Sequence, residues 1–345
     1  MTATTASVSG SRVDRRTAVR WATATIVALA ILLLNGDRIA LLVGPNRSVL
    51  LQATVTGLLI GGVYSLVSMG LTLIYGVLHI INFAHGALMT IGMYTSFLLV
   101  ARTGLDPYAS IVVVVALLFL FGAVIQKFLL NPIMDQSLEK KLLLTLGLSI
   151  FIENLLLVLF TPTPKAIQLP YGQGMLSLGL FDLSWPFRPF GAVATLSRTL
   201  AFVGALALAG LLYLLLQRTR FGTAIRAVAD NPRGAAIVGV NVERTYLLTF
   251  GLGTACVGAA ATLVLPFLSL EPTTGDAFNI IAFVVVVLGG MGNVIGALLG
   301  GILIGLTQQI GGVVFPGQSN LLGVFILFVL ALYLRPDGLL GKAKA

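Results

Sequence analysis

The chain has 345 residues, of which 57% are hydrophobic and only 10% charged, with a formal net charge of +9. Together with a mean hydropathy of +1.02, this excludes an ordinary soluble domain and reads as an all-α polytopic membrane protein. The basic residues lie between apolar runs and form no continuous stripe, so they read as topology signals and not as a nucleic-acid surface. One cysteine, Cys256, excludes a disulfide framework and a thiolate metal cluster.

At the start of the chain, Arg12, Arg15, Arg16 and Arg20 precede an apolar run from Trp21 to Leu34 that ends in "NGDR", with no convincing small-x-small cleavage site. The expectation is a basic tail at 1–19 and an uncleaved first span at 20–34, continuing weakly to 43. Further apolar runs predict helices over 49–74, 80–100, 108–130, 142–160, 197–217, 246–268, 277–289, 294–312 and 320–334. The first and eighth of these ten are short for a hydrocarbon core of about 30 Å, so the count of true spans is about eight to ten. They form one transmembrane domain over 20–334, followed by a tail at 335–345.

Charge tests this arrangement independently. With the N-terminus inside, fifteen of the 21 Lys and Arg residues fall on inner segments, and six fall outside (Arg38, Arg47, Arg102, Lys165, Arg188 and Arg198). Cytoplasmic segments carry such an excess, which places both termini inside. The outer connection at 161–196 contains Pro162, Pro164, Pro170, Pro186 and Pro189 and suits an ordered loop on the outer face. It is either a docking surface for an extracytoplasmic partner or a cover over the bundle. The pairs Gly57/Gly61, Gly296/Gly300 and Gly301/Gly305 have the four-residue spacing of close helix contacts.

Polar residues interrupt the apolar runs at a cost of roughly 2.5 to 3.5 kcal/mol for an ionisable group at mid-membrane. Asn82 and His85 lie in "GLTLIYGVLHIINFAHGALMTIGMY" (70–94), and Glu153 and Asn154 in "LGLSIFIENLLLVLF" (146–160). Two readings stand for each: a group lining a water-filled pathway, or a structural group satisfied within a helix contact. His85 and Asn154 are the candidate neighbours of Glu153. "GVLHIINFAHGALMTIG" and "VVLGGMGNVIGALLGG" are glycine-broken segments in corresponding halves of the chain, so an internal repeat is one reading. Under it, Asn82, His85 and Asn293 face one another across a central pathway. Only His79 accompanies His85, and no Cys, Asp or Glu stands at ligand spacing, so no metal site is expected.

The largest cytoplasmic loop, 218–245, is the most punctuated polar stretch. Asn231 followed by Pro232 has the signature of an N-cap with proline at the first helical position, and Gly239 suits the left-handed residue that ends a helix. This predicts a helix of about two turns, "PRGAAIVG", after a first piece, "GTAIRAVAD". Two turns are not stable alone in water, so the helix must rest on its own membrane domain and on a partner. Small apolar Ala235, Ala236 and Val238, with Arg226 and Arg233 nearby, suit a groove on a soluble subunit. An interfacial helix on lipid headgroups would explain the arginines but not the alanines.

"INFAHG" after "LTLIYGV", then "FGTAIRAVADNPRGAAIVGVNVERTYLLTFGLG", then "LGGMGNVIGALLGG", in this order, resemble the permeases of branched-chain amino acid ABC transporters, and within them the H-type subunit. The resemblance runs from about residue 49 to 340. It implies that residues 232–239 form the coupling helix on an ATP-hydrolysing subunit, with Arg226, Asp230, Asn231, Pro232, Arg233, Ala235, Ala236, Val238 and Gly239 at that contact. It also implies a second, M-type permease, two cytoplasmic ATPase subunits that bind ATP and Mg, and an extracytoplasmic substrate-binding protein. Two positions depart from the family's pattern. Ala87 follows Gly86 where an acidic residue is common, and no glutamate precedes Ala235.

No GxxxxGK[ST] phosphate loop occurs, so this chain has no ATP site of that kind and no cofactor of its own. No paired-carboxylate or Ser/His/Asp set argues for an enzyme. The expected function is the permease subunit of an ATP-driven importer of branched-chain or other hydrophobic amino acids working by alternating access. The alternatives are a urea or short-amide permease and an ion-coupled secondary transporter using Glu153.

Overall fold

A computed structural model describes residues 47–167, 169, 194–315, 320–336 and 338–340. The expected basic tail, the first span at 20–43, most of the outer loop at 161–196 and the last five residues lie outside the described residues. Within them the chain forms eleven α-helices: α1 (Arg47–Leu78), α2 (His85–Thr103), α3 (Pro107–Ile125), α4 (Leu138–Phe160), α5 (Leu196–Arg218), α6 (Arg220–Asp230), α7 (Pro232–Ile237), α8 (Val242–Val264), α9 (Thr274–Gly289), α10 (Val294–Val314) and α11 (Asn320–Leu334). Six are long and apolar enough to cross a membrane: α1, α3 with its extension to Ile133, α4, α5, α8 and α10. Helices α9 and α11 are apolar but shorter. The chain is a multi-pass, all-α membrane protein.

Burial separates centre from rim. The most apolar window of α1 is 89% buried and that of α8 is 83% buried, against 28%, 22% and 28% for α3, α4 and α5. Lipid gives helices no hydrophobic reason to associate, so the centre is built where small residues let backbones meet. Gly57 and Gly61 of α1 lie against Gly305 and Ile302 of α10, and the Ser65 hydroxyl donates to the Leu298 carbonyl at 2.7 Å. On the other side of α1, Gly70 and Gly253 of α8 are in backbone contact. The rim helices expose their apolar surface instead, as at Val112, Phe151 and Val158.

Several helix starts differ from expectation for local reasons. The helix expected from residue 80 begins at His85, because His79 has φ of 54° and the Asn82 side chain accepts from the Ala84 amide at 3.1 Å. Helix α8 begins at Val242, four residues early, because the Asn241 side chain accepts from the Arg244 amide at 2.9 Å. Thr219 caps α6 by accepting from the Gly222 amide at 3.0 Å, which starts that helix at Arg220.

Candidate functional site

The first candidate region is the break between α1 and α2. His85, the first residue of α2, is fully buried, and its Nε2 lies 3.0 Å from the Val67 carbonyl of α1. A carbonyl only accepts, so Nε2 carries the proton and the ring is the Nε2–H tautomer. Val67 is eleven residues before the end of α1, so α2 starts roughly 16 Å back along that helix, well inside the membrane. The break is tied to two further helices. Thr145 of α4 accepts from the Phe83 amide at 3.3 Å and donates to the Ile81 carbonyl at 3.3 Å, while the Asn279 amide of α9 donates to the Phe83 carbonyl at 2.9 Å.

Helix α9 meets α2 at the same depth. Gly86 and Gly275 are in mutual backbone contact, and a Cβ on either would collide with the other's carbonyl oxygen. The Gly275 amide donates to Thr90 of α2 at 3.0 Å. The 16 residues of α9 span about 24 Å, less than the hydrocarbon thickness of about 30 Å. Two helix N-termini thus meet in the interior of the bundle, the arrangement of discontinuous helices seen around transporter pathways. Asn82 is buried beside them, with its Nδ2 unpartnered, as is Nδ1 of His85.

The remaining intramembrane residues are placed differently from the sequence reading. Glu153 is partly buried, and among the described residues it bonds to neither His85 nor Asn154; its carboxyl stands beside that of Asp276 on the first turn of α9, and its Oε1 has no hydrogen-bond partner there. Two carboxyl groups in contact need a proton or a cation between them to relieve like-charge repulsion. Asn154 is exposed and, among the described residues, bonds only to the Ile150 carbonyl of its own helix, at 2.8 Å. Asn293 does not face His85. Its Oδ1 caps α10 by accepting from the Gly296 amide at 3.0 Å, and its Nδ2 donates to the Leu340 carbonyl at 2.9 Å. The neighbouring Gly292 packs on Gly76, nine residues or about 13 Å along α1 from Val67. Asp276 and Asn279 are the site residues that sequence reasoning missed; two polar groups three apart at the head of an otherwise apolar helix were the available signal.

The second region is the pair α6–α7. Helix α6 buries Gly222, Ile225 and Val228, spaced by three, against α1, α5 and α8. Gly222 leaves no room for a Cβ beside the Leu216 carbonyl. Asn231 caps α7 by accepting from the Gly234 amide at 2.9 Å, and Pro232 occupies the first turn. At the other end Gly239 has φ of 88°. Its amide donates to the Ala236 carbonyl, and the Val240 amide donates to the Ala235 carbonyl, both at 3.0 Å. These are the two bonds of a Schellman motif, so a six-residue helix has satisfied ends despite its length.

The outward face of α7 is not the one expected. Ala235 is buried against the protein itself, whereas Ile237 and Val238 are 87% and 78% exposed. Burying the alanine anchors the helix, and the face left free is Ala236, Ile237 and Val238, beside exposed Asp230 and Arg233. Arg226 stays exposed but reaches back along the surface to donate to the Leu216 carbonyl at the end of α5, where it completes a helix C-terminus.

Residues 53–334 match the family model described as the permease component of branched-chain amino acid transport systems. The chain is 34% identical to the high-affinity branched-chain amino acid transport system permease protein BraD of Pseudomonas aeruginosa, over 85% of this chain and 96% of that protein. It is 29% identical to the permease protein LivH of Escherichia coli, with the same coverages. It is 32% identical to a probable branched-chain amino acid transport permease LivH of Methanocaldococcus jannaschii, over 71% of this chain and 76% of that protein. No solved structure matches. The buried intramembrane break, the capped two-piece loop and a match running almost the whole length of the bundle agree: this chain belongs to the family of permease components of branched-chain amino acid transport systems.

Proposed function

We propose that this chain is the membrane subunit of an ATP-driven importer that moves branched-chain or other hydrophobic amino acids into the cell by alternating access. The observation that carries this reading is α7: a helix of six residues, capped at both ends and seated on Ala235, that presents Ile237 and Val238 to the aqueous side. Exposed apolar side chains on an ordered element outside the bilayer suit a groove on another protein. Two cytoplasmic ATPase subunits, which bind ATP and Mg, are the partners that fit. The orientation follows the charge asymmetry, with both termini and α6–α7 in the cytoplasm. A second, M-type permease and an extracytoplasmic binding protein complete the assembly.

The pathway runs past the break between α1 and α2. Asn82 and His85 hold the two helix N-termini in register, and the Glu153–Asp276 pair offers negative charge to the substrate's ammonium group. Asn293 belongs to the cytoplasmic turn instead.

The test is reconstitution of the full assembly in liposomes with loaded binding protein, followed by ATP-driven uptake of labelled leucine, isoleucine and valine. The double variant Ala236→Asp, Val238→Asp is expected to abolish uptake while the complex of permeases remains intact; undiminished uptake would sink the coupling role. The Glu153–Asp276 contact favours one second reading, an ion-coupled carrier. Uptake that collapses with the proton gradient yet survives ATP depletion would decide for it. Uptake of urea or a short amide, with none of the three amino acids, would move the substrate class.

A further inference from the structure

Helices α10 and α11 touch where Gly311 and Gly323 are in close backbone approach. Between them lies a groove of about 760 Å³. Its walls are Leu303, Leu306 and Ile310 on α10 and Leu327, Leu330 and Leu334 on α11, and Arg335 lines one end of it with Leu288 and Leu339. Along α11 the groove runs from Gly323 to Arg335, about 18 Å at 1.5 Å per residue, the scale of an extended acyl chain. By the charge asymmetry the Arg335 end is the cytoplasmic one; there the Leu339 amide donates to the Leu288 carbonyl at 2.7 Å, beside the turn that Asn293 caps. Among the described residues, a long bond of 3.4 Å to the Leu339 carbonyl is what engages the exposed Arg335 guanidinium.

We propose that this groove is a binding site for one anionic phospholipid of the cytoplasmic leaflet, with an acyl chain between α10 and α11 and its phosphate on Arg335. The groove is apolar along its length and positive at one end, which matches an amphiphile with a single anionic head. An alternative occupant is the chain's own segment at 20–43, which lies outside the described residues. Its cytoplasmic flank carries Arg12, Arg15, Arg16 and Arg20, which would set like charge against Arg335. The site is separate from the break and from α7, so it stands or falls apart from the transport reading.

Native mass spectrometry of the full chain, exchanged into equal amounts of phosphatidylglycerol and phosphatidylcholine, reads the preference directly. A basic residue at the membrane surface favours anionic lipid by about fivefold. That excess is expected in retained lipid, falling to parity in Arg335→Gln; equal retention by the unmodified chain, or an unchanged preference in Arg335→Gln, overturns the proposal. A second measurement locates the lipid. With Trp21 and Trp185, the two native tryptophans, replaced by Phe, Leu327→Trp reports from the groove and Val329→Trp from a lipid-facing position that is 63% exposed. Brominated phosphatidylglycerol is expected to quench the groove reporter more strongly than brominated phosphatidylcholine, and the lipid-facing one equally. Quenching at 329 with none at 327 would mean that protein fills the groove, which also overturns it.

Discussion

The break between α1 and α2 and the loop α6–α7 are both short interruptions in which an asparagine side chain accepts from a backbone amide two or three residues on, and their solutions are opposite. In the break, the hydrogen bonds of residues 81–85 turn inward onto α1, α4 and α9, because no water is present in hydrocarbon to satisfy backbone groups. In the loop, α7 satisfies its own ends through Asn231 and Gly239 and needs only Ala235 as an anchor. The first region is fixed by its surroundings; the second carries its shape with it and keeps a face free. That difference suits a pathway that must be packed and a contact that must be available.

Four variants test the contrast, beginning with the largest effect. Gly275→Val places a branched side chain where the Gly86 backbone already sits. Overpacking of this kind costs about 1 to 3 kcal/mol or more, so the variant is expected to lose most folded protein in detergent, read by size exclusion and thermal unfolding. Normal yield and melting would show that the α2–α9 contact does not hold the bundle together. Ile237→Asp with Val238→Asp should do the reverse. Both side chains are exposed, so melting is retained while ATP-driven uptake falls by about tenfold or more, the effect of losing roughly 1.4 kcal/mol at an interface.

Asn231→Ala removes one cap, which costs about 1 kcal/mol. Uptake is expected to fall a few-fold, with recovery in Asn231→Asp, because the aspartate oxygen accepts from the same amide; failure of that rescue would assign Asn231 to the partner contact and not to the cap. The smallest effect belongs to Asn154→Ala. Among the described residues it bonds only to its own helix, so stability should change by less than about 0.5 kcal/mol and uptake not at all. A large loss of uptake there would restore Asn154 to the pathway.

These cases show how far local chemistry can be read from a chain. Asn231, Pro232 and Gly239 mark the ends of α7 within the sequence because a cap bonds groups three or four residues away. Which side of α7 faces out was not legible, since "PRGAAIVG" carries apolar residues all round and only packing under α6 and α8 selects Ala235. Asn293 was misread for a related reason. It stands in a glycine-broken segment resembling the one around Asn82, yet it caps the first turn of α10 while Asn82 is buried beside the start of α2.

The sequence alone determined the class, the succession of apolar helices, the glycine seams and the capped loop, because hydropathy and capping act over a few residues. Tertiary structure decided that Glu153 meets Asp276, that Gly86 meets Gly275 and that Arg226 turns back onto α5. The first two contacts join residues more than a hundred positions apart, and even the third reaches ten residues back to the end of another helix. Such meetings depend on how helices cross in lipid, where backbone proximity at small residues, and no periodic signal in either strand of sequence, sets who faces whom.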